Sequence, residues 1–342
     1  MPSDGDTCKI SLRLLSKRHH CDQIVTGFLM LQKRLGFQLD ISRVDDFRDS
    51  NIPLVEARIN GRLVYYDLED SYWTVPHMKE LLDSCSAYFK RSFSSSENMK
   101  YFSSGQQSRM HPLGLNYSVQ CAAAPWKAKM LYDRRIFPWN NFSSKAFESE
   151  PHVNTKPVVL FSTRLWDPAS VEEPYKEDFY NVSMTRIALL RILKERFPDN
   201  LVGGLYDTPY ARAQAPDLIT PPVKTLRRSY LNSVKKSDII ITSTGLHGSI
   251  GGRFGEAIAA SRAVITEPLL YEVPGLIKGE NYLEYRSVEE CAGTVAELIS
   301  SPEQILRIQK ANREYYENYL RPDVLIENSL QQAGISIKGQ KG

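Results

Sequence analysis

An α/β fold in two domains is predicted for this chain of 342 residues. Short apolar strands alternate with amphipathic helices along its length, which points to layered α/β structure with mostly parallel sheets. The alternation starts afresh near Lys156, after a poorly periodic stretch from Gln120 to Asn154 that contains Trp126 and Trp139. Two Rossmann-like domains follow: residues 1–150, residues 151–316, and a closing segment 317–342 expected to return to the first domain as a helix plus tail.

In the first run, CKISLRLLS (Cys8–Ser16) reads as a buried strand. In DQIVTGFLMLQKRLG the apolar residues Ile24, Val25, Phe28, Leu29, Leu31 and Leu35 recur at helical spacing, and Gly36 stops the helix. FQLDISRV is a second strand. LVEARINGRLVYYDL is two strands joined at Asn60-Gly61, residue types that tolerate the positive φ of a two-residue hairpin turn. VPHMKELLDSC is a helix opened by Pro76, SAYFKRSF a short strand, and SRMHPLGLNYSV a strand and loop.

In the second run, KPVVLFSTRLWDP is a buried strand, and NVSMTRIALLRILKERFPDN an amphipathic helix stopped at Pro198. LVGGLY is a strand. VKTLRRSYLNSVKKS is a helix whose basic residues (Lys224, Arg227, Arg228, Lys235, Lys236) read as a solvated face rather than a membrane-docking patch. DIIITST is a strand. A glycine-rich loop follows, then a helix (Arg253–Ser261), a strand (Ala263–Thr266) and a loop through Pro274 and Gly275. SVEECAGTVAELISS carries a capping box, Ser287 with Glu290 three residues on. Two further helical segments, SPEQILRIQKANREYYENYLRP and DVLIENSLQQ, close the chain; the final KGQKG is expected to be disordered.

Composition narrows the function classes. Hydrophobic residues make up 42% and charged residues 24%, as in ordinary globular proteins. No stretch approaches the roughly 18 apolar residues of a membrane helix, and MPSDGDTCKISL has no apolar signal core. The net charge of +3, from 43 basic and 40 acidic residues, gives no strong basic field for nucleic acid. The five cysteines (Cys8, Cys21, Cys85, Cys121, Cys291) are widely spaced and contain no C-x-x-C pair. Reduced thiols in a cytoplasmic location are expected.

The stretch from Ser243 to Gly255, STGLHGSIGGRFG, holds Gly245, Gly248, Gly251, Gly252 and Gly255, and runs from a strand directly into a helix. Such a loop lets backbone approach a ligand closely. The helix start presents unpaired N–H groups and the positive end of the helix dipole, a place for a phosphate or diphosphate. Arg253 adds a charge-assisted donor. Glu256, one turn on, is unsuited to phosphate but suited to a pair of hydroxyls such as a ribose. Neither G-x-G-x-x-G nor G-K-[ST] is present.

The stretch GLHGSIGGRFGEAIAASRAVITEPLLYEVPG, followed by NYLEYRSVEECAGTVAELISSPE, resembles the donor-binding half of GT-B glycosyltransferases of the glycosyl transferases group 1 kind. The resemblance covers about residues 156–320; the first half matches only in layout. It implies a GT-B-like pair of domains facing a cleft. It also implies transfer of a sugar from a nucleotide-diphosphate donor to a hydroxyl of a glycan or other acceptor. Glu256 matches the second glutamate of the family's E-x7-E motif, which holds the ribose; the first falls at Gly248, beside His247. Arg164, in FSTRLW, matches the basic residue that contacts the donor diphosphate. With His247, Gly248, Ser249, Gly251, Gly252, Arg253 and Glu256 it makes up the expected donor site. No cofactor, no metal and no nucleic-acid partner is expected.

Transfer needs a base for the acceptor hydroxyl. SKRHHCDQ, after the first strand, offers His19, His20 and Asp22; the resemblance favours His20 or His19, since inverting members carry a histidine base in this loop. YYDLEDSYW offers Asp67, Glu69 and Asp70, a cluster that also imitates the D-x-D metal site of the other glycosyltransferase fold. Tyr72 and Trp73 are candidates to stack on a sugar, and Lys90 and Arg91 to hold an anionic acceptor or to be solvated. His77 and His111 read as structural. Two alternatives stand beside the transferase: a nucleotide-sugar 2-epimerase of the same fold, which needs no acceptor, and a non-catalytic nucleotide- or sugar-binding module.

Overall fold

The computed structural model describes residues 8–16, 19–44, 52–72, 74–122, 124, 142–173 and 175–337. Trp73, Trp126 and Trp139 lie outside them. The chain divides into two compact units. The first draws on residues 1–145, 271–275 and 317–342, the second on 146–270 and 276–316. No helix among the described residues is long and apolar enough to cross a membrane.

The first unit contains a six-stranded mixed sheet. Its strands are β1 (Lys9–Leu14), β2 (Gln38–Arg43), β3 (Leu54–Ile59), β4 (Arg62–Asp67), β5 (Ala87–Lys90) and β6 (Met110–Pro112), in spatial order β2-β1-β3-β4-β5-β6. β3 alone runs antiparallel to its neighbours, because the hairpin at Asn60-Gly61 (φ 48° and 83°) returns the chain at once. The register pairs Ile59 with Arg62 across that turn. Helix α1 (Asp22–Leu35) buries Ile24, Val25, Phe28 and Leu31 on one face of the sheet, and Gly36 ends it in the left-handed region. Helices α2 (Val75–Ser84) and α3 (Ser95–Tyr101) follow β4 and β5. Met78, Leu81 and Leu82 of α2 pack with Leu54, Tyr65 and Tyr88 in a separate apolar cluster.

The second unit contains a five-stranded, all-parallel sheet. Its elements are β7 (Val159–Thr163), α4 (Lys176–Arg196), β8 (Leu201–Leu205), α5 (Arg227–Lys236), β9 (Ile239–Ile241), α6 (Gly252–Ala259), β10 (Ala263–Thr266), β11 (Tyr282–Glu284), α7 (Val288–Ile299) and α8 (Pro302–Tyr315). The spatial order is β11-β10-β9-β7-β8. The chain therefore moves from β7 out to β8, returns past β7 to β9, and continues to β11. That reversal between β7 and β9 is the topological switch point of a doubly wound sheet. β9 reads Ile239-Ile240-Ile241 and is wholly buried, as a strand covered on both faces must be. Several boundaries differ from the sequence expectation. The Arg253–Ser261 helix runs from Gly252 to Ala259, because Ser261 takes φ 55°, the Val223–Ser237 helix breaks at Leu226, and the helix read from Asn181 starts at Lys176.

The last helix, α9 (Pro322–Gln332), belongs to the first unit and lies along α1. Leu325, Ile326 and Leu330 join the core under α1, each contributing roughly 1.5–3 kcal/mol relative to exposure. Tyr66 and Ser329 share a buried hydrogen bond of 2.9 Å. The two helices meet at Gly27, where a Cβ would sit 2.3 Å from the Pro322 carbonyl oxygen and 2.5 Å from Cγ1 of Ile326. Backbone cannot give way cheaply, so Gly27→Ala is expected to lower stability by about 1–3 kcal/mol. Gly293→Ala, inside α7 with nothing within 4 Å of the new Cβ, is expected to raise it by about 0.5–1 kcal/mol. Urea midpoints at constant slope read both effects.

Candidate nucleotide-diphosphate site

The carboxyl ends of β7 and β9 meet at the switch point of the second sheet, and their loops carry the residues singled out by sequence. β7 leads into Arg164. β9 leads through Thr242, Ser243 and Thr244 into the glycine loop and α6.

A residue from a third element ties the two loops together. Arg186, buried on the apolar stripe of α4 among Phe179, Ser183 and Leu190, donates to the Arg164 carbonyl at 2.7 Å, the Ser243 Oγ at 2.9 Å and the Thr244 carbonyl at 3.1 Å. Burial pushes its guanidinium down to about 10, and the nearby positive charge of Arg253 pushes the same way. It stays protonated at neutral pH. Glu267, just past β10, accepts from the Thr244 backbone N–H at 2.7 Å and its Oγ1 at 2.8 Å. Asp178 accepts from the His247 backbone N–H at 2.9 Å, and the His247 ring stands edge-on to Tyr175 at 5.7 Å. The loop is thus pinned from α4 and from β10.

Within the loop, His247 and Gly248 both take left-handed backbone, φ 59° and 67°. At Gly248 a side chain would be strained by that conformation and would meet Leu270 at 2.9 Å. Ser249 is buried, and its carbonyl accepts from the Gly245 N–H at 2.7 Å. Gly251 caps α6 with extended backbone, and a Cβ on it would meet no atom within 4 Å. The first turn of α6 contains no acidic residue. Its free N–H groups therefore face no competing anion of their own turn.

Four arginines from this region fall into two kinds. Arg186 and Arg227 are committed. Arg227 pairs with Glu256 Oε1 at 2.6 Å, which corrects the reading of its helix as a purely solvated basic face. Arg253 and Arg164 have no side-chain hydrogen bond or ion pair among the described residues. Arg253 is sandwiched instead, its guanidinium carbon 4.9 Å from the Tyr206 ring and 5.3 Å from the Tyr230 ring. Arg164 is exposed and lies 5.8 Å over Trp166. Glu256 is nearly buried, and its second oxygen has no hydrogen-bond partner among the described residues; nor do Thr242 Oγ1 and Trp166 Nε1. Unsatisfied buried polar atoms are costly.

The base candidates lie in the first unit. His19 and His20 form a short 3-10 turn after β1, their rings stacked at 4.2 Å, and the His20 carbonyl accepts from Asn116 at 3.1 Å. Asp22 starts α1 and accepts from Gln120 at 2.9 Å. Asp70 pairs with Arg91. Asp67 is fully buried and accepts from Tyr88 at 2.7 Å and Lys90 at 2.9 Å. Lys90 and Arg91 are therefore buried in ion pairs and not solvated, and Lys90 lies over the Tyr72 ring at 4.9 Å. Tyr72 hydrogen-bonds Asn98 at 2.9 Å and receives the Ser94 N–H at 2.8 Å, so its hydroxyl is structural. His111 stacks on Phe89, and burial pushes its pKa down.

No protein-family model matches the chain, and no curated protein matches it. Solved structures do. Glycosyltransferase structures are among them. The C-terminal domain of a glycosyl transferase group 1 family protein from Francisella tularensis aligns at TM-score 0.36 and 13% identity, over 51% of this chain and 96% of that one. Anabaena HepE in complex with UDP-glucose aligns at TM-score 0.47 and 10% identity, over 79% of this chain and 71% of that one. A UDP-N-acetylglucosamine 2-epimerase, so described provisionally, from Listeria monocytogenes aligns at 0.42 and 14%, over 76% and 63%. Likeness at this level transfers no activity, and the chemistry rests on the side chains of this chain.

Sequence reading missed Arg186, Glu267, Tyr206 and Tyr230. Arg186 did leave a signal: an arginine at i+3 from Ser183 and i+4 before Leu190, on the buried stripe of an otherwise apolar face. Arg186→Leu is expected to cost about 2–4 kcal/mol, since two loop carbonyls lose a charged donor. Hydrogen exchange at residues 243–249 is expected to speed up more than exchange in α7.

Proposed function

We propose that this chain is a metal-independent glycosyltransferase that takes a nucleotide-diphosphate sugar at the switch point of its second unit. The observation that carries the reading is Arg253: a guanidinium with no side-chain hydrogen bond or ion pair among the described residues, near two tyrosine rings at the amino end of α6. A diphosphate at that position receives the free N–H groups of α6, Arg253 and Arg164. The ribose hydroxyls fall to Glu256, whose other oxygen Arg227 holds. His247, Gly248, Ser249, Gly251 and Gly252 shape the backbone around the donor.

In the proposed reaction the acceptor hydroxyl oxygen attacks the anomeric carbon, and the bond from that carbon to the diphosphate oxygen breaks. The leaving electron pair settles on the diphosphate, where Arg253 and the helix terminus stabilise it. The hydroxyl proton passes to a general base. His20 or His19 suits that role better than Asp70, whose carboxylate Arg91 occupies. The arginines and the helix dipole supply the positive charge, so the proposal uses neither metal nor cofactor. A cytoplasmic location completes it.

A thermal-shift panel of UDP, GDP, ADP and their sugars tests the donor site. One nucleotide is expected to raise Tm by several degrees at saturating concentration. Arg253→Ala is expected to weaken its Kd roughly ten- to hundredfold, the worth of about 1.5–3 kcal/mol for charged hydrogen bonds, at little change in ligand-free Tm. Release of nucleoside diphosphate only when an acceptor is supplied marks a transferase; conversion of the donor alone marks the epimerase. No shift with any nucleotide sinks the proposal.

A further inference from the structure

The segment from Ile219 to Ser237 contains five basic residues and no acidic one. It folds as a short helical turn, Pro222–Thr225, followed by α5. The buried side of α5 is Tyr230, Leu231 and Val234, which fixes its opposite face outward. Arg228 and Lys236 stand exposed on that face two turns apart, with Lys235 beside them. The preceding turn adds exposed Lys224. Lys224 and Arg228 have no carboxylate within 4 Å among the described residues. Only Arg227 of this set turns inward, to Glu256.

Charge alone describes a solvated face. The apolar residues at its tip do not fit that description. Val223 is 63% exposed and Leu226 60%, three residues apart and interleaved with Lys224 and Arg228. Two large aliphatic side chains held in water beside unpaired cations suit one kind of surface: an anionic bilayer. There the aliphatic groups enter the acyl boundary and the cations meet lipid headgroups. A nucleic acid would use the cations and gain nothing from Val223 and Leu226 beyond loose contact.

We propose that the turn at Pro222–Thr225 and the exposed face of α5 form a peripheral docking surface for anionic membranes. Leu226 and Val223 are the inserting residues; Lys224 and Arg228, supported by Lys235 and Lys236, provide the electrostatic attraction. Contact is reversible and salt-sensitive, because surface cations are screened within about a Debye length of 8 Å at physiological ionic strength.

Co-sedimentation of the full chain with vesicles tests this. Vesicles of phosphatidylcholine with 30% phosphatidylglycerol are compared with pure phosphatidylcholine, at roughly 0.05 M and 0.3 M salt. Binding is expected to the anionic vesicles alone and to fall at high salt. K224Q/R228Q is expected to weaken it at least about tenfold, at roughly fivefold per charge. V223S/L226S is expected to weaken it several-fold with unchanged Tm, since both side chains lie outside the core. A V223W variant is expected to show a blue-shifted emission with anionic vesicles. No sedimentation of the wild type overturns the proposal. So does V223S/L226S binding as tightly as wild type, or single-stranded RNA binding tighter than the vesicles. All these readouts are independent of nucleotide binding.

Discussion

The second unit is organised by one buried cation. Taking a guanidinium out of water costs several kcal/mol unless its donors are met. Arg186 meets them with two carbonyls and a hydroxyl from the loops that follow β7 and β9. Those strands are neighbours only because the chain reverses between them. The clamp therefore exists only in the doubly wound sheet, and it fixes the two loops against each other where such sheets bind ligands. Among the described residues no carboxylate hydrogen-bonds it. Arg253 adds a second positive charge close enough to depress the first. The Glu267 carboxylate, which holds Thr244, pushes the other way, so opposed charges set the environment of the clamp.

A second buried arginine shows that burial by itself does not mark a site. Arg262 is fully buried before β10, at the amino ends of the strands, and donates to the carbonyls of Ala260, Ser237 and Glu150. His152 shares it at 2.9 Å. Burial pushes it down to about 10, as for Arg186. Around it Asp238 accepts three hydrogen bonds from Asn154 and Val158. That edge joins chain segments. At the carboxyl edge Arg253 and Arg164 have no side-chain hydrogen bond or ion pair among the described residues, and they lie beside a helix terminus.

The first unit spends its charges differently. Asp67, Tyr88 and Lys90 close on one another at the ends of β4 and β5, with Tyr72 beneath the ammonium. The residues that looked like an acid cluster for chemistry or metal are held by cations: Asp67 by Lys90, Asp70 by Arg91. The His19–His20 turn lies after β1 in the same unit, its two rings stacked at 4.2 Å.

Local physics made much of this legible in the sequence. Helical spacing found α1, the Ser287 cap found α7, Asn60-Gly61 placed a hairpin turn, and the glycine loop with Arg253 and Glu256 stood out because loop, helix start and charge are consecutive. Sequence by itself thus determined the alternation of strands and helices, the hairpin, and a helix amino end suited to an anion. Tertiary structure alone decided which charges are used up. Arg186 lies 57 residues before Ser243, Arg227 lies 29 before Glu256, and Lys90 lies 23 after Asp67. A guanidinium's partners are set by the strand order and helix packing that bring distant residues within 3 Å. No periodicity in a linear pattern records that distance.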